Sequence, residues 1–377
     1  MSAPTRRVKV SNRAQKTMSA HVPRERSCMR ALLGGILTLT LGLAISAVSA
    51  SPGVAEAAAE PQRASIGSTQ LKAATQTAAQ ALRSRSANPQ VADVAQKYLD
   101  KQARSGRLLD ASDVKVASVA DPFGNGQIRL AWDGSRQPER IDVAVGDGAD
   151  ANDGQKAIGV MMAEAPDAPS SGWQGGAGFD GAFNVKDMFQ MGHECVELWW
   201  DPEYWTGEEP QDHNATSCYE KYQDPTTRKW IYNRWAVFQQ ADGPTNRPRT
   251  VDFTLRSRPW KGFEDRVESL YKWTPAGGQK TCEETMNVSL SFPDYAGVEI
   301  PIHQCTSTSV LPDATTKAMG IDFNGEETGQ LALDFGAAIY AKSADEDLNP
   351  IYADYLWAQV DWGISNEKTL LWKEDGW

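Results

Sequence analysis

The stretch Ile128-Arg-Leu-Ala-Trp-Asp-Gly-Ser-Arg-Gln-Pro-Glu-Arg-Ile-Asp-Val-Ala-Val145 decides the fold class. Ile128, Leu130 and Trp132 alternate with Arg129 and Ala131, and Ile141, Val143 and Val145 repeat that period after Asp133-Gly134. Side chains two positions apart share one face of a strand, so the pattern reads as half-buried β-structure. Asp-Gly between two such runs predicts a hairpin.

The period of two continues outward from this stretch. Ile158, Val160 and Met162 predict a strand, and further strands are expected at Cys195–Trp200, Lys229–Gln240, Thr250–Ser257 and Arg266–Trp273. Thr285–Phe292, Gln330–Ile339, Tyr355–Trp362 and Thr369–Lys373 complete the set. Short strands separated by Gly, Pro and Asp turns, with no alternating βα units, exclude a doubly wound fold. The expected class is mainly β, an antiparallel sandwich or barrel-like body preceded by a short helical segment.

That helical segment is legible upstream. Thr69–Arg83 is Ala-rich, with Leu71 and Leu82. A second helix has Asn88 as N-cap, Pro89 at its first position and Gly106 just past its end. Val91, Val94, Ala95, Tyr98 and Leu99 form one apolar stripe along it. The stripe must pack on the β-body or on the first helix; a removable pro-segment is the remaining option.

The start of the chain has a different character. Eight Lys and Arg residues and one acid, Glu25, fall within the first 30 positions, followed by the uncharged apolar run Ala31–Val48 and the small-residue ends Val48-Ser49-Ala50 and Ala55-Glu56-Ala57. This order reads as a secretory signal over residues 1–50. The competing reading is an uncleaved anchor, because 18 apolar residues are about the minimum for a span. The chain then divides into 1–50 as signal peptide, 51–109 as a disordered linker (disorder to about residue 65) plus two helices, and 110–377 as a disulfide-stapled β-rich domain. The expected location is secreted or extracytoplasmic, with no membrane contact after signal cleavage.

Charge narrows the partners. Taking eight basic residues from 38 and one acid from 49 leaves 30 against 48, a net charge of −18 for the processed chain. Such a surface repels nucleic acid and anionic lipid, so neither is expected as a partner.

Of five cysteines, Cys28 precedes the apolar run, leaving Cys195, Cys218, Cys282 and Cys305. An even number in an exported chain implies disulfides. Met286–Phe292 and Val298–Ile302 alternate around Pro293–Gly297, a hairpin that would bring Cys282 and Cys305 together. By analogy Cys195 pairs with Cys218. The alternative is zinc: His193-Glu-Cys195 and His303-Gln-Cys305 both put an imidazole and a sulfur on one strand face. The oxidising compartment favours bridges, so no metal is assigned.

All 13 tryptophans lie in the body, and Glu197-Leu-Trp-Trp-Asp-Pro-Glu-Tyr-Trp205 is the densest segment. Exposed indoles stack on pyranose faces, and Trp199, Trp200 and Trp205 are the candidate binding residues. The competing role is core packing; adjacent strand residues face opposite ways, so one of Trp199 and Trp200 faces out if the sheet has a wet face. Glu194, Glu197, Asp201, Glu203, Glu208 and Glu209 are the carboxylates available to a glycoside hydrolase. Catalytic residues stay unassigned: G-x-S-x-G and H-E-x-x-H are both absent. The acidic loop Asp147–Gly154 lacks EF-hand spacing, and no cofactor motif is present. Asn214-Ala-Thr216 and Asn287-Val-Ser289 are sequons. The leading function is an exported binding protein for neutral polysaccharide, with an extracellular protein as the other partner class. The alternatives are a carbohydrate-active hydrolase using a carboxylate pair and a structural or inhibitory protein.

Overall fold

The computed structural model describes residues 61–83, 89–124, 126–146, 155–164, 188–201, 212–224, 227–241, 248–274, 283–290, 298–304, 308–343 and 349–361. All of them lie in one compact unit, Ala57–Trp377. The elements run β1 (Gln62–Gly67), α1 (Ser68–Arg83), α2 (Pro89–Arg104), β2 (Lys115–Ala120), β3 (Gln127–Trp132), β4 (Gln137–Val145), β5 (Gln155–Ala163) and β6 (Phe189–Trp200). They continue with β7 (His213–Gln223), β8 (Lys229–Gln239), β9 (Arg249–Pro259), β10 (Val267–Thr274), β11 (Glu283–Leu290) and β12 (Val298–Gln304). The last four are β13 (Thr308–Val310), β14 (Met319–Glu327), β15 (Gln330–Ala341) and β16 (Tyr352–Asp361).

The fold is a mainly β antiparallel sandwich. The first sheet has the order β1-β4-β5-β16-β9-β14-β13, and the second β10-β15-β8-β7-β6-β3-β2. A separate hairpin joins β11 to β12, with Met286 opposite Ile302 and Leu290 opposite Val298, as the alternation in that segment predicts. The last described strand, β16, lies between β5 and β9, and all ten of its residues are buried.

The opening stretch behaves differently from its sequence reading. Its two halves do not pair as a hairpin. β3 pairs with β2 and β6 in the second sheet, whereas β4 pairs with β1 and β5 in the first. Residues 133–136 therefore cross from one layer to the other. Glu194 on β6 holds this crossing, accepting hydrogen bonds from Ser135 N at 2.7 Å, Ser135 Oγ at 2.9 Å and Arg136 N at 3.1 Å. Gly134 has φ +78°, and a Cβ there would stand 2.2 Å from Glu194 Cδ, so only glycine fits. A second correction concerns the linker: strand β1 begins at Gln62, inside the stretch expected to be disordered. It pairs along its whole length with the edge of β4 and contributes Ile66 to the core.

Apolar inner faces of both sheets form one core. Ile141, Val143, Ile158, Val160, Phe253 and Leu255 meet Ile128, Leu130, Leu198, Trp200, Phe238 and Phe335. Crossing this core is a polar network. Asp354 on β16 is ion-paired to Arg136 and to Arg234 on β8, the latter at 3.6 Å. Its carboxylate also accepts from Tyr232 Oη at 2.7 Å and from Ser257 Oγ. Arg234 donates onward to Ser217 Oγ at 3.1 Å and to Tyr355 O at 3.0 Å, so it ties β7, β8 and β16 together. Burial pushes the Asp354 pKa up, but the two facing guanidiniums outweigh it and hold the carboxyl below its ordinary value. Removing one partner of a buried ion pair strands the others without solvent. Asp354→Ala is accordingly expected to cost about 3–5 kcal/mol in urea unfolding.

His213, at the start of β7, is a second polar group in the core. Its ring stacks on Trp200 at 5.0 Å, and Nδ1 accepts from Ala241 N at 3.1 Å. Burial lowers its pKa from 6.5 to about 3, helped by Lys156. A base with a depressed folded-state pKa contributes stability that is complete above its unfolded value and is lost as pH falls. The unfolding midpoint is therefore expected to drop between pH 6.5 and 3, and the gap between wild type and His213→Gln to narrow over that window.

Candidate functional site

The outer face of the second sheet is covered in part by α2. Val91, Val94 and Tyr98 of the predicted stripe pack with Val116, Ala131, Cys195, Trp199 and Cys218. The stripe packs on the β-body and, through Ala78, on α1, so both expected docking partners are used. Polar anchors ring this apolar contact. Lys101 Nζ donates to Glu197 Oε1 at 2.5 Å and to Asn214 Oδ1 at 2.6 Å. Tyr98 Oη donates to Asp133 Oδ1 at 2.5 Å and lies 3.0 Å from Cys195 O.

The helix ends where the sequence says it should. Gly106 has φ +86°, and Arg107 N donates to Gln102 O at 2.8 Å in a left-handed C-terminal turn. That turn delivers Arg107 onto the sheet. Its guanidinium donates to Asp133 Oδ2 at 2.5 Å, Gln102 Oε1 at 2.7 Å and His193 O at 3.2 Å. Beside it opens a cleft of about 400 Å³, lined by Arg107, Ser112, Asp113, Lys115, Asp133 and His193 together with Leu109, Gly134 and Glu194. Leu108, next to the rim, is 87% exposed.

His193 forms the inner wall. Its Nδ1 lies 3.7 Å from Glu220 Oε1, and its buried Nε2 has no hydrogen-bond partner among the described residues. Burial, with Arg107 nearby, lowers the imidazole pKa from 6.5 to about 3. Burial raises Glu220 from 4.5 to about 7, although Tyr222 Oη donates to its Oε2 at 3.0 Å.

The tryptophans are placed as follows. Trp200 points into the core and is 1% exposed. Trp199 points the other way, as strand geometry requires, but α2 covers that face and leaves it 7% exposed. The two indoles do point to opposite faces, but the sheet has no wet face at this position, so neither is displayed to solvent. Trp205 lies outside the described residues.

The carboxylates of the same segment are engaged within the fold. Glu194 holds the layer crossing and Glu197 pairs with Lys101. Asp201 pairs with Arg129 and accepts from Gln127 N at 2.8 Å. Asp212 shares Arg129 at 2.8 Å, and burial together with a hydrogen bond to Asp201 pushes its pKa up to about 6. Glu203, Glu208 and Glu209 lie outside the described residues, as does the acidic loop 147–154.

Cys195 and Cys218 are direct cross-strand partners and form a disulfide. Both sulfurs are consumed, so they offer no thiolate to zinc. Among the described residues, no group of three His, Cys, Asp or Glu side chains is arranged to hold a metal. Cys282 and Cys305 lie outside the described residues. Asn214 of the first sequon is engaged beneath α2, its Nδ2 donating to Leu198 O at 3.2 Å.

Arg107, Lys115, Asp133 and Glu220 were not legible as site residues. The nearest signal was the helix stop at Gly106, which fixes where the chain turns but not what Arg107 meets. Removing the bridge with Cys195→Ser and Cys218→Ser together is expected to lower stability by about 3 kcal/mol on the chain-entropy model, read from thermal or urea unfolding.

No protein-family model matches the chain, and no curated protein matches it either.

Proposed function

We propose that this is an exported binding protein whose ligand enters the cleft beside α2. Export is supported by the signal-like leader and by the Cys195–Cys218 bridge, since disulfides persist mainly in oxidising compartments. Binding, as opposed to hydrolysis, is supported by the state of the carboxylates: Glu194, Glu197 and Asp201 each already hold a neighbouring residue.

The cleft carries the reading. Its Arg107–Asp133 pair is fixed from three sides, and Ser112, Asp113 and Lys115 add hydroxyl and charged groups of both signs. Such a lining, with Leu109 in the wall and Leu108 exposed at the rim, suits a polypeptide segment that carries charged and apolar side chains. It offers no indole for a sugar ring among its nine residues. The polysaccharide version then rests on Trp205.

Selection from a displayed random-peptide library and pull-down on insoluble cellulose, chitin and xylan separate the two ligand classes. The expected result is enrichment of a peptide motif that is lost on Lys115→Glu. Retention on a glycan that disappears with Trp205→Ala would turn the reading to sugar. Polysaccharide turnover abolished by Glu197→Gln would replace it with hydrolysis.

A further inference from the structure

Three polar side chains form a straight row across the outer face of the second sheet. His193 on β6 is opposite Glu220 on β7, and Glu220 is opposite Asn233 on β8. Glu220 and Asn233 are buried and the His193 side chain is 5% exposed; among the described residues the row holds two buried polar atoms without partners, His193 Nε2 and Asn233 Oδ1. Glu220 Oε1 faces His193 Nδ1 at 3.7 Å, just outside hydrogen-bond range, while its Oε2 is taken by Tyr222. A buried imidazole with one nitrogen beside a carboxyl and the other unpartnered has its tautomer set by the protonation of that carboxyl.

We propose that His193 and Glu220 are a tautomer switch in the wall of the cleft. With Glu220 protonated, its hydroxyl serves Nδ1 and Nε2 keeps its hydrogen as a donor. With Glu220 ionised, Nδ1–H serves the carboxylate and Nε2 becomes an acceptor.

The proton balance is simple. On going to higher pH the hydrogen between the two groups passes from Oε1 to Nδ1, and the hydrogen on Nε2 leaves for solvent. One proton is released and the ring is neutral in both states. Surrounding groups favour this over an imidazolium. Arg107 approaches from the turn after α2, and its cation opposes a charge on His193; Asp133 favours that charge but is itself paired to Arg107. From β8 come the Trp235 ring, tilted at 5.8 Å from the imidazole, and the neutral Asn233. On β7 Tyr222 donates to Glu220 and favours its ionised form, and from β6 Gln190 Nε2 lies 3.4 Å from the Tyr222 hydroxyl. Glu220 exchanges its proton at about pH 7, so both states are populated near neutrality.

The switch changes the polarity of the buried Nε2 within the wall that His193 lends to the cleft, and its bearing on a ligand rests on the cleft being the binding site. The switch itself needs no ligand to be seen. Protein labelled with nitrogen-15 at histidine, with His193 assigned through H193Q, reports each tautomer by its ring nitrogen shifts between about pH 5 and about pH 9. The expected result is hydrogen on Nε2 at the acid end and on Nδ1 at the alkaline end, with a midpoint near 7. Glu220→Gln should abolish the change, and Tyr222→Phe should move the midpoint upward. A ring that keeps one tautomer throughout, or that carries both hydrogens at the acid end, overturns the switch. Either outcome leaves the peptide and glycan binding results untouched, so the two readings fail separately.

Discussion

Burial of the outer face of the second sheet beneath α2 is the constraint on which much of the structure depends. Each apolar side chain of the stripe that leaves water contributes on the order of 1.5–3 kcal/mol. Val91, Val94 and Tyr98 spend that contribution on a patch of sheet that would otherwise display Trp199 and the Cys195–Cys218 bridge. Once the helix is docked, its last turn has one place to go. The left-handed Gly106 turns the chain back, Arg107 meets Asp133, and the cleft is the space left between this turn and the strands.

A second constraint operates between the sheets. Asp354, Arg136 and Arg234 put one negative and two positive charges into an apolar interior, and hydroxyls and a backbone carbonyl take further donors of Arg234 and Arg136. Buried ion pairs add little net stability compared with apolar packing, but they are costly to misalign. Here they join the layer crossing after β3 to strands β8 and β16, and so fix how the sheets face one another. Arg136 is the shared part: its backbone N–H is held by Glu194 and its guanidinium by Asp354.

Both constraints meet at β6. Its inner face supplies Glu194, Val196, Leu198 and Trp200 to the crossing and the core. Its outer face supplies His193, Cys195, Glu197 and Trp199 to the cleft, the bridge and the helix contact. From Glu194 to Trp200 the strand is used on both sides, which is why the described part of the segment richest in candidate binding residues contributes mainly to architecture.

By itself the sequence determined the mainly β class, most strands, both helices, the stop at Gly106 and the partner of Cys195, because these follow from local periodicity, turn chemistry and short sequence separation. It was silent on β7, whose His213–Gln223 carries polar residues on both faces and so shows no alternation. It misread Ile128–Val145 as one hairpin, since nothing local distinguishes a tight turn from a crossing held by Glu194, some sixty positions away. The burial of Trp199, the pairing of Arg107 with Asp133 and the His193–Glu220–Asn233 row were decided only by tertiary structure. Each depends on which strands become neighbours and on what covers the outer face, and those are long-range choices made by packing.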